Sequence, residues 1–258
     1  MKPIQFQKRR IRLMVIPPAA GAVILLLLTA AALITGHLQP ASRTTILFYG
    51  YPLKGITVVL DPGHGGIDPG AHYNGVVLEK EIVLAVGLEL RRLLEPSGAA
   101  VIMTREVDQE MSRYIPGDPS SRHKRDLRSR IMIINESQAD LFVSLHINAI
   151  ADPSVRGAIA FYCPSRPDNK TLAELIQKNI NPLMAANPNT DQTVHMNPKE
   201  GNFYILNDTT IPGIILEIGF MTSPIDRELM TGRITQKKLA QSIFLGIAEF
   251  ICARNNHP

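Results

Sequence analysis

Apolar and polar positions fall into two regimes along the chain. From Leu13 to Gly36 no side chain is charged, and Val23–Ile34 reads VILLLLTAAALI with no polar face. About 20 such residues at helical rise span the hydrocarbon core of a bilayer. Pro17 and Pro18 fall in the first turns, where a helix tolerates them best. The pattern predicts a transmembrane helix over 13–36, a cytoplasmic tail over 1–12 and a linker over 37–54. Within that linker, Thr45–Tyr49 is a short apolar run that suits an edge strand.

After the linker the pattern alternates. Ile56–Leu60 (ITVVL) is a β-branched run that ends at Asp-Pro-Gly, a strand followed by a turn. Glu79–Leu94 carries Ile82, Val83, Val86, Leu90, Leu93 and Leu94 on helical spacing, and Pro96 and Gly98 stop it. Ala100–Thr104 reads as a second strand, and Arg105–Arg122, with Pro116, Gly117 and Pro119, as a long loop. Leu127, Ile131 and Ile134 mark a second helix. Asp140–Ile147 and Gly157–Cys163 read as strands, and Leu172–Met184 as a helix. Phe203–Leu206 and Gly213–Ile218 read as further strands, and Ile234–Ala253 as a closing helix. Strands separated by helices predict one α/β domain over 55–253, a twisted, mostly parallel sheet flanked by helices.

Charge sharpens this picture. The chain has 258 residues and a net charge of +4. Lys2, Lys8, Arg9, Arg10 and Arg12 all precede the apolar segment, so the remainder carries about −1. A nucleic-acid binder needs a basic face on its folded part, and that reading is set aside. By the positive-inside rule the domain lies outside the cytoplasm, on a single-pass anchor in the cytoplasmic membrane. A cleaved signal peptide, with the domain secreted, is the alternative. Cys163 and Cys252 are too few for a disulfide framework; free thiols are expected, with one bridge as the alternative.

Candidate chemistry gathers near strand ends, where open α/β sheets bind ligands. His64 lies in DPGHGG after the first strand. Glu79 opens the first helix. His146 ends the Asp140–Ile147 strand, and Glu217 ends the strand from Gly213. Two imidazoles and a carboxylate are a ligand set used by catalytic zinc, with a fourth position for water. A further carboxylate nearby can act as general base. Each residue alone is a weak signal, because a histidine after a strand is more often structural and a glutamate at a helix start commonly serves the dipole. Glu217 stands out. It sits in the apolar run IILEIGF, where a carboxylate is destabilising unless paired or functional.

These residues carry a resemblance. The motifs VVLDPGHGGIDPGA, Glu79-Lys80, Met103–Arg105 (MTR), ADLFVSLHINA and LEIGFMTSP occur in order, from about Gly55 to Phe250. Together they resemble the zinc-dependent N-acetylmuramoyl-L-alanine amidases of the amidase-3 type. The resemblance implies a zinc ion on His64, Glu79 and His146, and Glu217 as the catalytic residue. It also implies peptidoglycan as substrate, cut between muramic acid and L-alanine. Asp126–Ile150 and the single apolar segment resemble the germination-specific, spore-cortex type, which strips the peptide before muramic δ-lactam forms. Many relatives have Asn where Ser223 stands; serine caps a helix equally well. The loop from Glu106 to Arg122 is long for the family and can serve the substrate or an activating partner. An exported zinc peptidase acting within the peptide stem, and a non-catalytic wall-binding module, are the competing readings.

Other polar residues are read as structural or exposed: His72, His123 and His195. Arg105 is expected to bind a substrate carboxylate or to pair with Asp108 or another acid. Asn148 is a candidate for substrate contact. The run Arg122–Arg130, of mixed charge, is expected to be a solvated helix face.

Overall fold

The computed structural model describes residues 53–115, 119–184 and 196–255. The expected basic tail, transmembrane helix, most of the linker and its possible edge strand lie outside them, as does His195. Among the described residues no helix is long and apolar enough to cross a membrane. The folded region reaches back to Leu53, which is fully buried and donates its N–H to Ser97 O.

A six-stranded sheet organises the chain. Its strands are β1 (Thr57–Pro62), β4 (Ala100–Met103), β5 (Leu141–Asn148), β6 (Ile159–Tyr162), β7 (Lys199–Glu200) and β8 (Gly213–Phe220), in the order β4-β1-β5-β8-β6-β7. The β1–β4, β1–β5, β5–β8 and β6–β7 pairs are parallel, and β6 runs antiparallel to β8. The expected mostly parallel sheet is therefore present, with one reversal. A separate hairpin pairs β2 (His72–Tyr73) with β3 (Val77–Leu78).

Side-chain alternation assigns each face its cover. Val58, Leu60, Val143, Leu145, Ile214 and Leu216 point to one side and are fully buried. Helices α1 (Glu79–Leu94), α3 (Pro167–Met184) and α6 (Arg233–Asn255) supply the rest of that core, through residues such as Val86, Ile176 and Ile247. On the opposite side Val59, Phe142 and Ile215 form a smaller core with Ile134 of α2 (Arg122–Glu136) and with Ile205 and Leu206 of α4 (Tyr204–Asn207). Apolar cover on this second face stops short of the strands' carboxyl ends, where β1, β5 and β8 present Asp61, Ser144, His146 and Glu217.

Two sequence expectations are corrected. Phe203–Leu206 is not a strand: Tyr204–Asn207 is one helical turn, with Leu206 and Asn207 N–H both donating to Phe203 O. Adjacent Ile205 and Leu206 both point inward while Tyr204 is 71% exposed, an order that period-two alternation cannot produce. Arg122–Arg130 is not wholly solvated either. Arg130 is 3% exposed, because α2 turns it under the sheet edge to meet Asp61. The next helix, α5 (Pro224–Thr231), begins as expected at Ser223, whose hydroxyl accepts from Asp226 N–H. Cys163 and Cys252 are both free.

Candidate active site

His64, Glu79 and His146 come from a loop, a helix start and a strand end, and the fold brings them together. One donor atom from each lies within 4.8 Å of the others. Glu79 Oε1 is 3.1 Å from His64 Nε2 and 3.0 Å from His146 Nδ1. The two rings meet edge to face, 4.9 Å between centroids. Glu79 is 2% exposed and anchored by main chain: Ile147 N–H donates to Oε1 at 2.9 Å and Ala71 N–H to Oε2 at 2.7 Å. Its place at the N-terminus of α1 adds a favourable dipole.

Glycines make this convergence possible. A Cβ on Gly63 would lie 2.2 Å from His146 Cε1, and one on Gly70 would lie 2.4 Å from Glu79 Oε2. Gly70 also has φ +67°, a region that disfavours side chains. His64 itself is left-handed, at φ +59°, which for a non-glycine residue is strained unless its surroundings hold it.

Neighbouring charge sets the protonation of the group. Burial raises the Glu79 carboxyl, but hydrogen bonds from His146 and His64, and then their charges, hold it well below the usual carboxylate range. Burial opposes charge on His64, yet Glu79 and then Asp68 outweigh it and lift the imidazole to about 8. Asp68 Oδ2 lies 3.1 Å from His64 Nδ1, on the ring edge away from Glu79. That is the position of the outer carboxylate that fixes the tautomer of a metal-binding histidine.

Glu217 is the direct register partner of His146 on the adjacent parallel strand, so both side chains leave the same face side by side. Its Oε2 is buried and has no hydrogen-bond partner among the described residues. Burial pushes its carboxyl up to about 7, with the charge of Glu79 adding and those of His146 and His64 opposing. His64, His146 and Glu217 line one cavity of about 330 Å³, walled by His123, Phe203 and Tyr204. This is a carboxylate poised to exchange a proton beside two imidazoles and a buried acid. The three-residue group has the donor chemistry of a catalytic metal site, and Glu217 is an acid it leaves free.

The remaining candidates separate cleanly. His72 is exposed on β2. His123 is exposed but reaches the cavity. Asn148 turns its Oδ1 back to Ala149 N–H. Arg105 does neither thing expected of it: it is 1% exposed, and Asp108 pairs with Lys80 at 2.7 Å. Sequence reading missed Asp61, Asp68 and Arg130. Asp61 is fully buried and accepts from Thr104 Oγ1, Ser144 Oγ and Arg130 Nη1, each at 2.6 Å. A carboxylate ending an apolar strand is the signal that singled out Glu217, and Asp61 has it too, disguised as part of a turn motif.

Comparison with known proteins gives the class. Residues 58–249 match the model of the family described as N-acetylmuramoyl-L-alanine amidase, Amidase_3, and the chain belongs to that family of cell-wall amidases. It is 35% identical over 210 residues to the germination-specific N-acetylmuramoyl-L-alanine amidase of Bacillus subtilis, covering 81% of this chain and 86% of that one. Among solved structures it resembles the CwlD amidase of Clostridioides difficile, in complex with the GerS lipoprotein. That likeness has a TM-score of 0.69 and 35% identity and covers 77% of this chain and 99% of that one. It is also 29% identical to the probable cell wall amidase LytH of Staphylococcus epidermidis, covering 77% of this chain but 60% of that longer one.

Proposed function

We propose that this chain hydrolyses the amide between N-acetylmuramic acid and L-alanine in peptidoglycan, with zinc held by His64, Glu79 and His146 and with Glu217 as the proton carrier. The observation that carries the reading is Glu217: a buried oxygen without a partner, register-paired to His146 and lifted to about 7. No packing role explains a carboxylate left in that condition.

Zinc on these three residues would supply Lewis-acid polarisation of the scissile carbonyl and a more acidic water. The chain's own residues do the rest. Asp68 holds His64 with its Nε2 toward Glu79. Glu79, tied by two main-chain N–H groups, keeps the ligand-bearing segments in register. Glu217 takes a proton from water as the oxygen attacks the carbonyl carbon, and returns it to the nitrogen as the C–N bond breaks. A group near pH 7 serves both steps, since it can accept and then donate.

The likeness to a germination-specific amidase supports action in the spore cortex, ahead of muramic δ-lactam formation. The uncharged segment 13–36 behind five basic residues supports a membrane anchor with the domain outside. The CwlD structure is a complex with a lipoprotein, which supports an activating partner of that class at the same membrane.

The test is digestion of purified peptidoglycan by the full chain, read by mass, with zinc present and then chelated. The expected products are glycan lacking its peptide and an intact stem, lost on chelation and regained with zinc. Glu217→Gln is expected to keep the metal and lower the rate about 10²–10⁴-fold. A shortened stem would mean a peptidase, zinc binding without digestion a wall-binding module, and wild-type turnover by Glu217→Gln another base.

A further inference from the structure

Arg105 follows β4 and is 1% exposed, the largest of the fully buried side chains. A buried guanidinium normally meets a carboxylate. This one donates four hydrogen bonds, and all end on main-chain carbonyls. Nε reaches Pro62 O at 2.9 Å, and Nη2 reaches Gly63 O at 2.8 Å and Lys80 O at 2.7 Å. Nη1 reaches Val107 O at 3.2 Å. Pro62 and Gly63 are the two residues before His64, and Lys80 follows Glu79. One planar side chain therefore grips the backbone beside two of the three grouped residues.

Its setting is unfavourable for stability alone. The neighbouring guanidinium of Arg130 holds Pro62 O and His64 O, at 2.8 and 2.6 Å. Burial and then Arg130's charge pull Arg105 down to about 10. Two like charges thus occupy all three successive carbonyls, 62 to 64, around a left-handed histidine. Arg130 is balanced by direct contacts with Asp61 and Asp126. Among the described residues Arg105 makes no such ion pair: its N–H groups end on carbonyl dipoles, and Asp61, Asp108 and Asp126 offset its charge without a direct bond. Its fork geometry lets it join segments that approach from different directions, which an ammonium point charge does not do.

We propose that Arg105 is a positioning residue for the metal site: it fixes the separation of the His64 and Glu79 segments and thereby sets metal affinity and ligand geometry. This rests on the metal reading of the preceding subsection. Outer-shell partners of metal ligands typically govern affinity by 10–100-fold, and Arg105 acts through two ligand segments at once.

The test uses the full chain with zinc and with cobalt as the probes. Arg105→Lys and Arg105→Met are compared with wild type by chelator competition for zinc and by the visible spectrum of bound cobalt, below each variant's unfolding temperature. The control is Arg254→Met, which removes a guanidinium from Asp140 at the opposite end of the sheet. Both Arg105 variants are expected to bind zinc at least tenfold more weakly and to show a changed cobalt spectrum. The control is expected to lose stability with zinc affinity and spectrum unchanged. Arg105→Lys keeps the charge and serves if Arg105→Met fails to fold. A folded Arg105 variant with zinc affinity within twofold of wild type and an unaltered cobalt spectrum overturns the proposal. A wild-type chain that binds no zinc fails the metal reading itself, a separate result.

Discussion

Asp61 has no place in the candidate metal group, yet it ties the end of β1, which leads to His64, to α2, to the end of β4 and to β5, which bears His146. Its two oxygens meet Thr104, Ser144 and Arg130 beneath the His64 loop. Burial raises its carboxyl, but Arg130's charge and then the hydroxyl hydrogen bonds from Ser144 and Thr104 outweigh burial and hold it below the usual range. With the folded pKa below the unfolded value, ionised Asp61 contributes stability that is complete above about pH 4. That contribution is lost as pH falls further, through the folded pKa. Asp61→Asn is expected to cost about 1–3 kcal/mol near neutrality, since it removes a charge-assisted buried bond while Arg130 keeps Asp126. It should also flatten the acid limb of stability. Urea unfolding of both proteins from pH 7 to pH 3 reads the two effects, and equal slopes below pH 4 would refute this role for Asp61.

Among elements, the α3–α6 contact shows how packing overrides propensity. Gly246 lies inside α6 with φ in the ordinary range, and a helix interior gains about 1 kcal/mol from Ala over Gly. A Cβ there would stand 2.6 Å from Ile176 Cα and 2.9 Å from Ile176 N, main-chain atoms of α3 that no rotamer change can move. Overpacking of this kind costs about 1–3 kcal/mol, so Gly246→Ala is expected to be net destabilising. Thermal unfolding decides the sign. The same reasoning explains which elements were legible. α1 and α6 carry long apolar stripes whose limits agree with the sequence pattern to within a residue or two. Phe203–Leu206 reads as a strand from sequence yet forms a helical turn, because a four-residue apolar run has no period and only its neighbours fix its shape. The antiparallel course of β6 was likewise unreadable, because an apolar run looks the same in both directions.

For the molecule as a whole, the candidate metal group closes segments 15 and 67 residues apart in sequence, from Glu79 back to His64 and on to His146. An unfolded chain does not hold them together, so a metal bound there would stabilise the native state by linkage. At a hundredfold excess over the dissociation constant the gain is about 2.7 kcal/mol. For a domain of this size that corresponds to a rise in Tm of about 5–10 °C. Calorimetry of the full chain with and without zinc should show this increment, and Glu79→Ala should abolish it. An unchanged Tm in saturating zinc would count against a native-state metal site.

Local pattern by itself determined the kinds and order of the longer elements and marked Glu217 by its place in an apolar run; it offered His64, Glu79 and His146 only as weak candidates, which the motif resemblance joined into one group. Periodicity and turn chemistry act over a few residues, so one chain segment is enough to reveal them. Tertiary structure alone decided that those residues meet, that Asp61 and Arg130 lie under the sheet edge, and that Arg105 faces main-chain carbonyls rather than solvent or Asp108. Burial and pairing are properties of two surfaces at once, and residues 105, 62 and 80 share an environment only after β1, β4 and α1 have packed.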